Sequence, residues 1–258
     1  MSPLPSAVST GPVAREGYGD VVRRLSAAQK SGKGAPAYSR YVNRWLGRRL
    51  AAVAYLAGLR PNQVTLVSAA LSFSAIAVLG LVPVSWWSGL LVALGLVLGY
   101  ALDAADGQLA RLRGGGSVSG EWLDHMIDCV KISALHLAVA VSLFRFTDLD
   151  VAWLLLPLAY AVVGAVSFFG QILNEQLRRN AGVEKPAGPD VVPASLVRSL
   201  AKIPLDYGVL CLVFVLLGWT PGFVAAYGLM FVAATGYLVL AWAAWFGSMR
   251  AIDAAVRR

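Results

Sequence analysis

Four aspartates, Asp103, Asp106, Asp124 and Asp128, lie in one stretch of the chain, DAADGQLARLRGGGSVSGEWLDHMID. On a helix, Asp103, Asp106, Gly107 and Ala110 fall at i, i+3, i+4 and i+7, so two carboxylates and two small residues share one face. Gly120, Asp124 and Asp128 fall at i, i+4 and i+8 and do the same. Gly114, Gly115 and Gly116 let the two helices double back, and all four carboxylates are expected to face one space. Carboxylates crowded near a bilayer repel one another and take up protons unless a cation compensates them. Oxygen-only ligands, with no His or Cys pair at ligand spacing, favour a hard cation such as Mg²⁺, Mn²⁺ or Ca²⁺ over zinc. Two such ions, roughly 3.5–4 Å apart, would clamp an in-line phosphoryl displacement. Gly107, Ala110 and Gly120 have no bulk and let a phosphate-bearing ligand approach the backbone.

The elements that must hold these residues are apolar. With 58% hydrophobic and 14% charged residues, the chain departs far from a soluble average and reads as an all-α integral membrane protein. Stretches long enough for a ~30 Å hydrocarbon core run over about 61–82, 87–110, 121–146, 151–178, 194–217 and 221–248, predicting six transmembrane helices. The turns near Ser85 and Thr220 carry no Lys or Arg, whereas the segment through Arg60, the turn with Arg111 and Arg113, the stretch from Arg178 to Lys202 and the C-terminal tail are basic. By the positive-inside rule both termini and the acidic cluster are expected on the cytoplasmic side of the cell membrane. Cys129 and Cys211 both sit in apolar helices, where packing is expected rather than a disulfide.

Ahead of the spans, residues 1–36 are rich in Ser, Gly, Ala and Pro, lack an apolar signal core and read as a mobile tail, with a weakly marked helix over 18–29. Residues 37–59 place Tyr41, Trp45, Leu46, Leu50 and Val53 at helical spacing with Arg40, Arg44, Arg48 and Arg49 between them. That pattern predicts a juxtamembrane amphipathic helix on an anionic lipid surface. The main domain is expected over 60–250, followed by a short tail at 251–258. Membrane lipids are the expected surroundings and no nucleic acid partner is expected. Small residues such as Gly228, Gly236 and Gly247 in the last span, or the faces of spans three and four, offer surfaces for a homodimer.

The pattern Asp103-x2-Asp106-Gly107-x2-Ala110-Arg111-x8-Gly120-x3-Asp124-x3-Asp128 resembles the signature of the CDP-alcohol phosphotransferase family at every fixed position. The resemblance implies metal-dependent transfer of a substituted phosphate from a CDP-linked donor, CDP-diacylglycerol or a CDP-polyol, to an alcohol, with release of CMP. It implies Asp103, Asp106 and Asp124 as ligands of two Mg²⁺ or Mn²⁺ ions, and Asp128 as the base that also reaches the second ion. Arg111 would steady a donor phosphate, and Gly107, Ala110 and Gly120 would make room for the nucleotide. Arg60-Pro61-Asn62-Gln63-Val64-Thr65 is similar to the Pro-Asn-x-x-Thr start of the first span in the same family, which makes Pro61, Asn62 and Thr65 candidates for donor contacts. The plainer reading of that hexapeptide is a helix start with Thr65 bonded to its own turn.

Further polar stripes lie toward the same side: Lys131 after Asp128, the series Gln171, Asn174 and Arg178, and the series Arg198, Lys202 and Asp206. Cations at such depth are costly and usually functional. With metal to neutralise the donor, Lys131, Arg178, Arg198 and Lys202 are expected to bind a second anion, such as the phosphate of a phosphorylated acceptor. Tyr38-Ser39-Arg40-Tyr41-x-Asn43-Arg44 resembles family members that use inositol phosphate. His125 and His136 have no partner at ligand spacing and read as structural. Two other classes compete: a divalent-cation or proton-coupled transporter using the same aspartates, and a silent membrane scaffold. A transporter's site normally lies near the midplane rather than at the cytoplasmic ends of spans, and a scaffold has no need of Asp128.

Overall fold

The computed structural model describes residues 16–28, 36–183 and 205–256, and among these it is helical with no strands. Helix α1 spans Tyr18–Ala27. A π-helical turn, Ser39–Asn43, runs directly into α2, Arg44–Leu56. Then come α3, Pro61–Leu81, α4, Trp86–Leu112, and α5, Val118–Phe146. A 3₁₀ turn, Val151–Leu154, leads into α6, Leu155–Asn180. The short α7, Tyr207–Val213, continues as a 3₁₀ turn over Phe214–Gly218, and α8 spans Thr220–Val256. Five of these helical segments are long and apolar enough to cross a membrane, and Tyr207–Gly218 is a shorter apolar run. The predicted span 194–217 begins outside the described residues, as do Arg198, Lys202 and Pro204.

Local chemistry sets where the helices start and stop. Pro61 occupies the first turn of α3, where a missing N–H costs nothing, and the Gln63 side chain accepts the Arg60 N–H at 2.8 Å. Ser85 caps α4 and Ser117 caps α5, each hydroxyl accepting an N–H three residues on at 3.0 Å. Between them, Gly114 and Gly115 hold φ of 95° and 128°, a region closed to most side chains. The Gly115 N–H reaches back to the Ala110 carbonyl at 2.9 Å and closes the end of α4.

Packing then separates the helices unevenly. Helix α3 packs along α4 through small residues: Ser68 Oγ donates to the Gly99 carbonyl at 2.8 Å, and a β-carbon at Gly99 would overlap Ser72 Oγ. Helix α3 also packs on α5, while α4 and α5 make little contact with each other. The doubled-back pair is therefore held open by a shared neighbour. Helix α6 lies on α5 and α8, and α7 with its 3₁₀ extension lies on α4. The aromatic core between them contains Phe214, Phe223 and Tyr227, all fully buried. His136 is structural there, with Nδ1 2.6 Å from the Tyr227 hydroxyl and its ring stacked on Tyr160. Cys129 and Cys211 are unpaired.

The juxtamembrane segment differs from a simple amphipathic helix. Its small residues Gly47, Ala51, Ala52 and Ala54 turn inward, α2 packing on α4, and its large ones, Tyr41, Trp45, Val53 and Leu56, face outward. Small side chains let two helix backbones approach; the aromatic and branched ones are left for an apolar surrounding. Arg49 lies over the Trp45 ring at 3.5 Å. The weakly marked stretch ahead of it holds α1, whose Val21 and Leu25 are buried against α2, and Arg24 pairs with Glu16 at 2.6 Å.

Candidate active site

Helices α4 and α5 present their carboxylates across the gap between them. Carboxylate oxygens of Asp103, Asp124 and Asp128 lie within 4.8 Å of one another. Asp106 belongs to the same neighbourhood, close enough to Asp103 and Asp124 for their charges to act on it, but it is turned toward α3. There it accepts the Thr65 hydroxyl at 2.6 Å and is only 7% exposed. A carboxylate so far from water takes the nearest donor, and Thr65 supplies it from one turn inside α3. Three of the four aspartates thus converge directly and the fourth is tethered beside them.

Lys131 stands among these groups. Its ammonium, 4% exposed, donates to Asp128 Oδ1 at 2.6 Å and to Asp103 Oδ1 at 3.2 Å. It bridges α5 to α4 where the helices themselves make little contact. One ammonium thus bonds two of the three converging carboxylates. Three converging carboxylate oxygens fit a hard divalent cation.

The nucleotide-side candidates gather at the same end. A β-carbon at Gly120 would fall 2.9 Å from Asn62 Oδ1, so the missing side chain is what lets the start of α3 meet the start of α5. Pro61 begins the turn that presents Asn62 and Thr65. Arg111 folds back over Gly107, where an added β-carbon would lie 3.4 Å from its terminal nitrogen, and its Nε is buried with no hydrogen-bond partner. Ala110 stays partly open on the same helix.

The expected acceptor stripe does not assemble as a unit among the described residues. Lys131 is on the carboxylates. Arg178 donates to Ser248 Oγ and so ties α6 to α8. Gln171 and Asn174 bond to carbonyls of their own helix, Ser167 and Gly170. Arg198 and Lys202 lie outside the described residues. One turn beyond Lys131, a cavity of about 230 Å³ opens between α5, α6, α7 and α8, lined by Ile132, Leu135, Phe168, Tyr207, Leu210 and Met230 among others.

Two polar links escaped the sequence reading. The Lys131 bridge has a local signal, since Lys131 stands three positions after Asp128 on one helical face. The other joins Ser39 to Asp206, 167 residues away, and has none.

Comparison with curated proteins gives no match. The CDP-alcohol phosphatidyltransferase family model matches residues 59–249, which takes in α3 through most of α8 and every carboxylate of the cluster. A multi-pass helical bundle with this acidic cluster, matched over most of its length, belongs to the CDP-alcohol phosphatidyltransferase family.

Proposed function

We propose that the protein transfers a substituted phosphate from a CDP-linked donor to an alcohol acceptor and releases CMP, using Mg²⁺ or Mn²⁺ held by Asp103, Asp106, Asp124 and Asp128. The observation that carries this reading is the convergence of the carboxylate oxygens of Asp103, Asp124 and Asp128 from two facing helices. Bound there, the metal would neutralise the donor pyrophosphate and the charge that grows on departing CMP.

The chain's own residues do the rest. Asp128 takes the proton of the acceptor hydroxyl at a carboxylate oxygen as the new P–O bond forms and the bond to CMP breaks. Lys131, hydrogen-bonded to Asp128 at 2.6 Å, holds that carboxylate in place. The same ammonium has three N–H groups and spends two on carboxylates, which leaves one for an acceptor oxygen. Thr65 holds Asp106 in one orientation, Asn62 stands at the nucleotide end, and Arg111 offers its guanidinium to a donor phosphate. Arg178, Arg198 and Lys202 complete the acceptor side in this reading. The neighbouring, mostly apolar cavity suits the chain of a lipid substrate, and the basic segments support a cytoplasmic site.

The test is CMP release by purified protein offered CDP-diacylglycerol or a CDP-polyol, each with inositol phosphate, glycerol phosphate or a free polyol. Release that stops with chelator, returns with Mg²⁺ or Mn²⁺ and disappears in Asp128→Asn supports the reading. Metal uptake into vesicles without any CMP from any donor would replace it with a transporter.

A further inference from the structure

A second buried carboxylate, Asp206, sits apart from the metal cluster and is only 1% exposed. It accepts three hydrogen bonds: from the Ser39 N–H at 3.0 Å, from the Ser39 hydroxyl at 2.9 Å, and from the Gly208 N–H at 3.1 Å, where it caps α7. With its proton given to Asp206, the Ser39 hydroxyl accepts from the Tyr100 hydroxyl at 2.7 Å. Tyr100 therefore donates to Ser39, and Ser39 donates to Asp206. Around this chain the Tyr38 ring lies against Gly208 and stacks on Tyr100, and Tyr207 meets Tyr100 edge-on at 5.1 Å. Four residues on, Asn43 is 3% exposed and donates to the Tyr100 carbonyl at 3.2 Å. The segment making these bonds is π-helical, a geometry concentrated at functional positions.

Position is what gives the network a meaning. Tyr100 lies one helical turn before Asp103 on α4, and Tyr207 lies close enough to Asp103 and Asp128 for their charges to act on it. Ser39 and Asn43 precede residue 59, where the family match begins, so this clamp on α4 comes from outside the matched region. A buried carboxylate with all its donors supplied is costly to assemble and adds little net stability; its usual return is one fixed arrangement of the parts it joins. The joined parts are the N-terminal segment, the start of α7 and the turn of α4 that carries the first metal ligand.

We infer that Ser39, Tyr100 and Asp206 are positioning residues, through which the N-terminal segment fixes α4 at the depth and rotation that bring Asp103 to Asp124 and Asp128. The inference rests on the metal role proposed for that cluster. Groups supporting metal ligands typically change affinity about ten- to a hundredfold when lost. Ser39→Ala and Tyr100→Phe each remove the hydroxyl bridge and keep the surrounding packing.

The experiment measures Mn²⁺ binding by electron paramagnetic resonance on the full-length protein in detergent, with thermal unfolding alongside. Each single variant is expected to raise the Mn²⁺ dissociation constant roughly tenfold, the lower end of that range. The double variant is expected to be no weaker than either single one, because both break the same bridge. Ser39→Thr, which keeps the hydroxyl, is expected to bind like wild type. Singles within twofold of wild type, whatever their unfolding temperature, overturn the positioning role and leave the metal site standing. Wild-type protein that binds no Mn²⁺ overturns the metal site and this inference together. Should Ser39→Ala fail to fold, Tyr100→Phe decides, since its ring contacts are unchanged.

Discussion

Thr65 and Asp106, 41 residues apart, are joined by a buried 2.6 Å hydrogen bond that fastens α3, one turn from its start, to the motif helix α4. Thr65→Val keeps the shape and removes the donor, leaving a buried carboxylate short of a partner. The variant is expected to lose about 1–3 kcal/mol of stability, read by denaturant titration in micelles, and to need more metal for half-maximal turnover. Thr65→Ser should retain both. A Thr65→Val protein as stable and as active as wild type would mean that this bond has no part in placing Asp106.

Lys131 is the chain's own counter-charge in the gap. Lys131→Met leaves carboxylates facing one another without the ammonium, and a broken buried pair costs about 3–5 kcal/mol. Because a divalent cation supplies the missing charge, added Mg²⁺ or Mn²⁺ should recover much of the lost unfolding temperature in the variant, and more than it raises that of wild type. Equal metal-induced shifts in the two proteins would separate Lys131 from the cluster's charge balance.

Asp128→Asn is expected to reduce transfer by at least a hundredfold, the scale of general-base catalysis, while metal-dependent donor binding remains measurable. The amide keeps the shape but cannot receive the acceptor's proton. If binding and turnover fall in parallel, Asp128 is chiefly a metal ligand.

Lys202→Gln bears on whether the acceptor is phosphorylated. With a charged acceptor such as inositol phosphate, kcat/KM should fall roughly ten- to a hundredfold, the worth of one hydrogen bond to a charged group, with the donor's KM little changed. A neutral polyol should be a poor substrate and lose little further. Equal losses on charged and neutral acceptors would remove the phosphate contact.

What could be read in advance follows from how locally each feature is encoded. Asp103 and Asp106, or Asp124 and Asp128, share a helical face by spacing alone, and Gly114 and Gly115 announce the reversal between them, so the acidic gap was visible in one line of text. The length of α3 through α6 followed equally from runs of apolar residues. Partnerships across the bundle were a different matter. Nothing near Asp206 in the chain points to Ser39, and nothing around Asp106 says that its nearest donor is Thr65 rather than a metal or water. Lys131 illustrates the halfway case: its depth was legible, but whether it served an incoming phosphate or the resident carboxylates depended on the approach of α4 to α5. In α2 the periodicity was real, yet the face that packs inward is the one with the smallest side chains, because closeness to α4 counted for more there than hydrophobicity.

The open angle between α4 and α5 has an experimental use. Both helices pack on α3, so much of their support lies away from the gap that they face. Asp128→Asn keeps an oxygen for the Lys131 ammonium, and with α3 bracing both helices the variant is expected to keep its fold, which thermal unfolding checks. Such a variant is suited to serve as a trap, retaining from a lipid extract whichever donor and acceptor the living membrane supplies, and so to name them by mass.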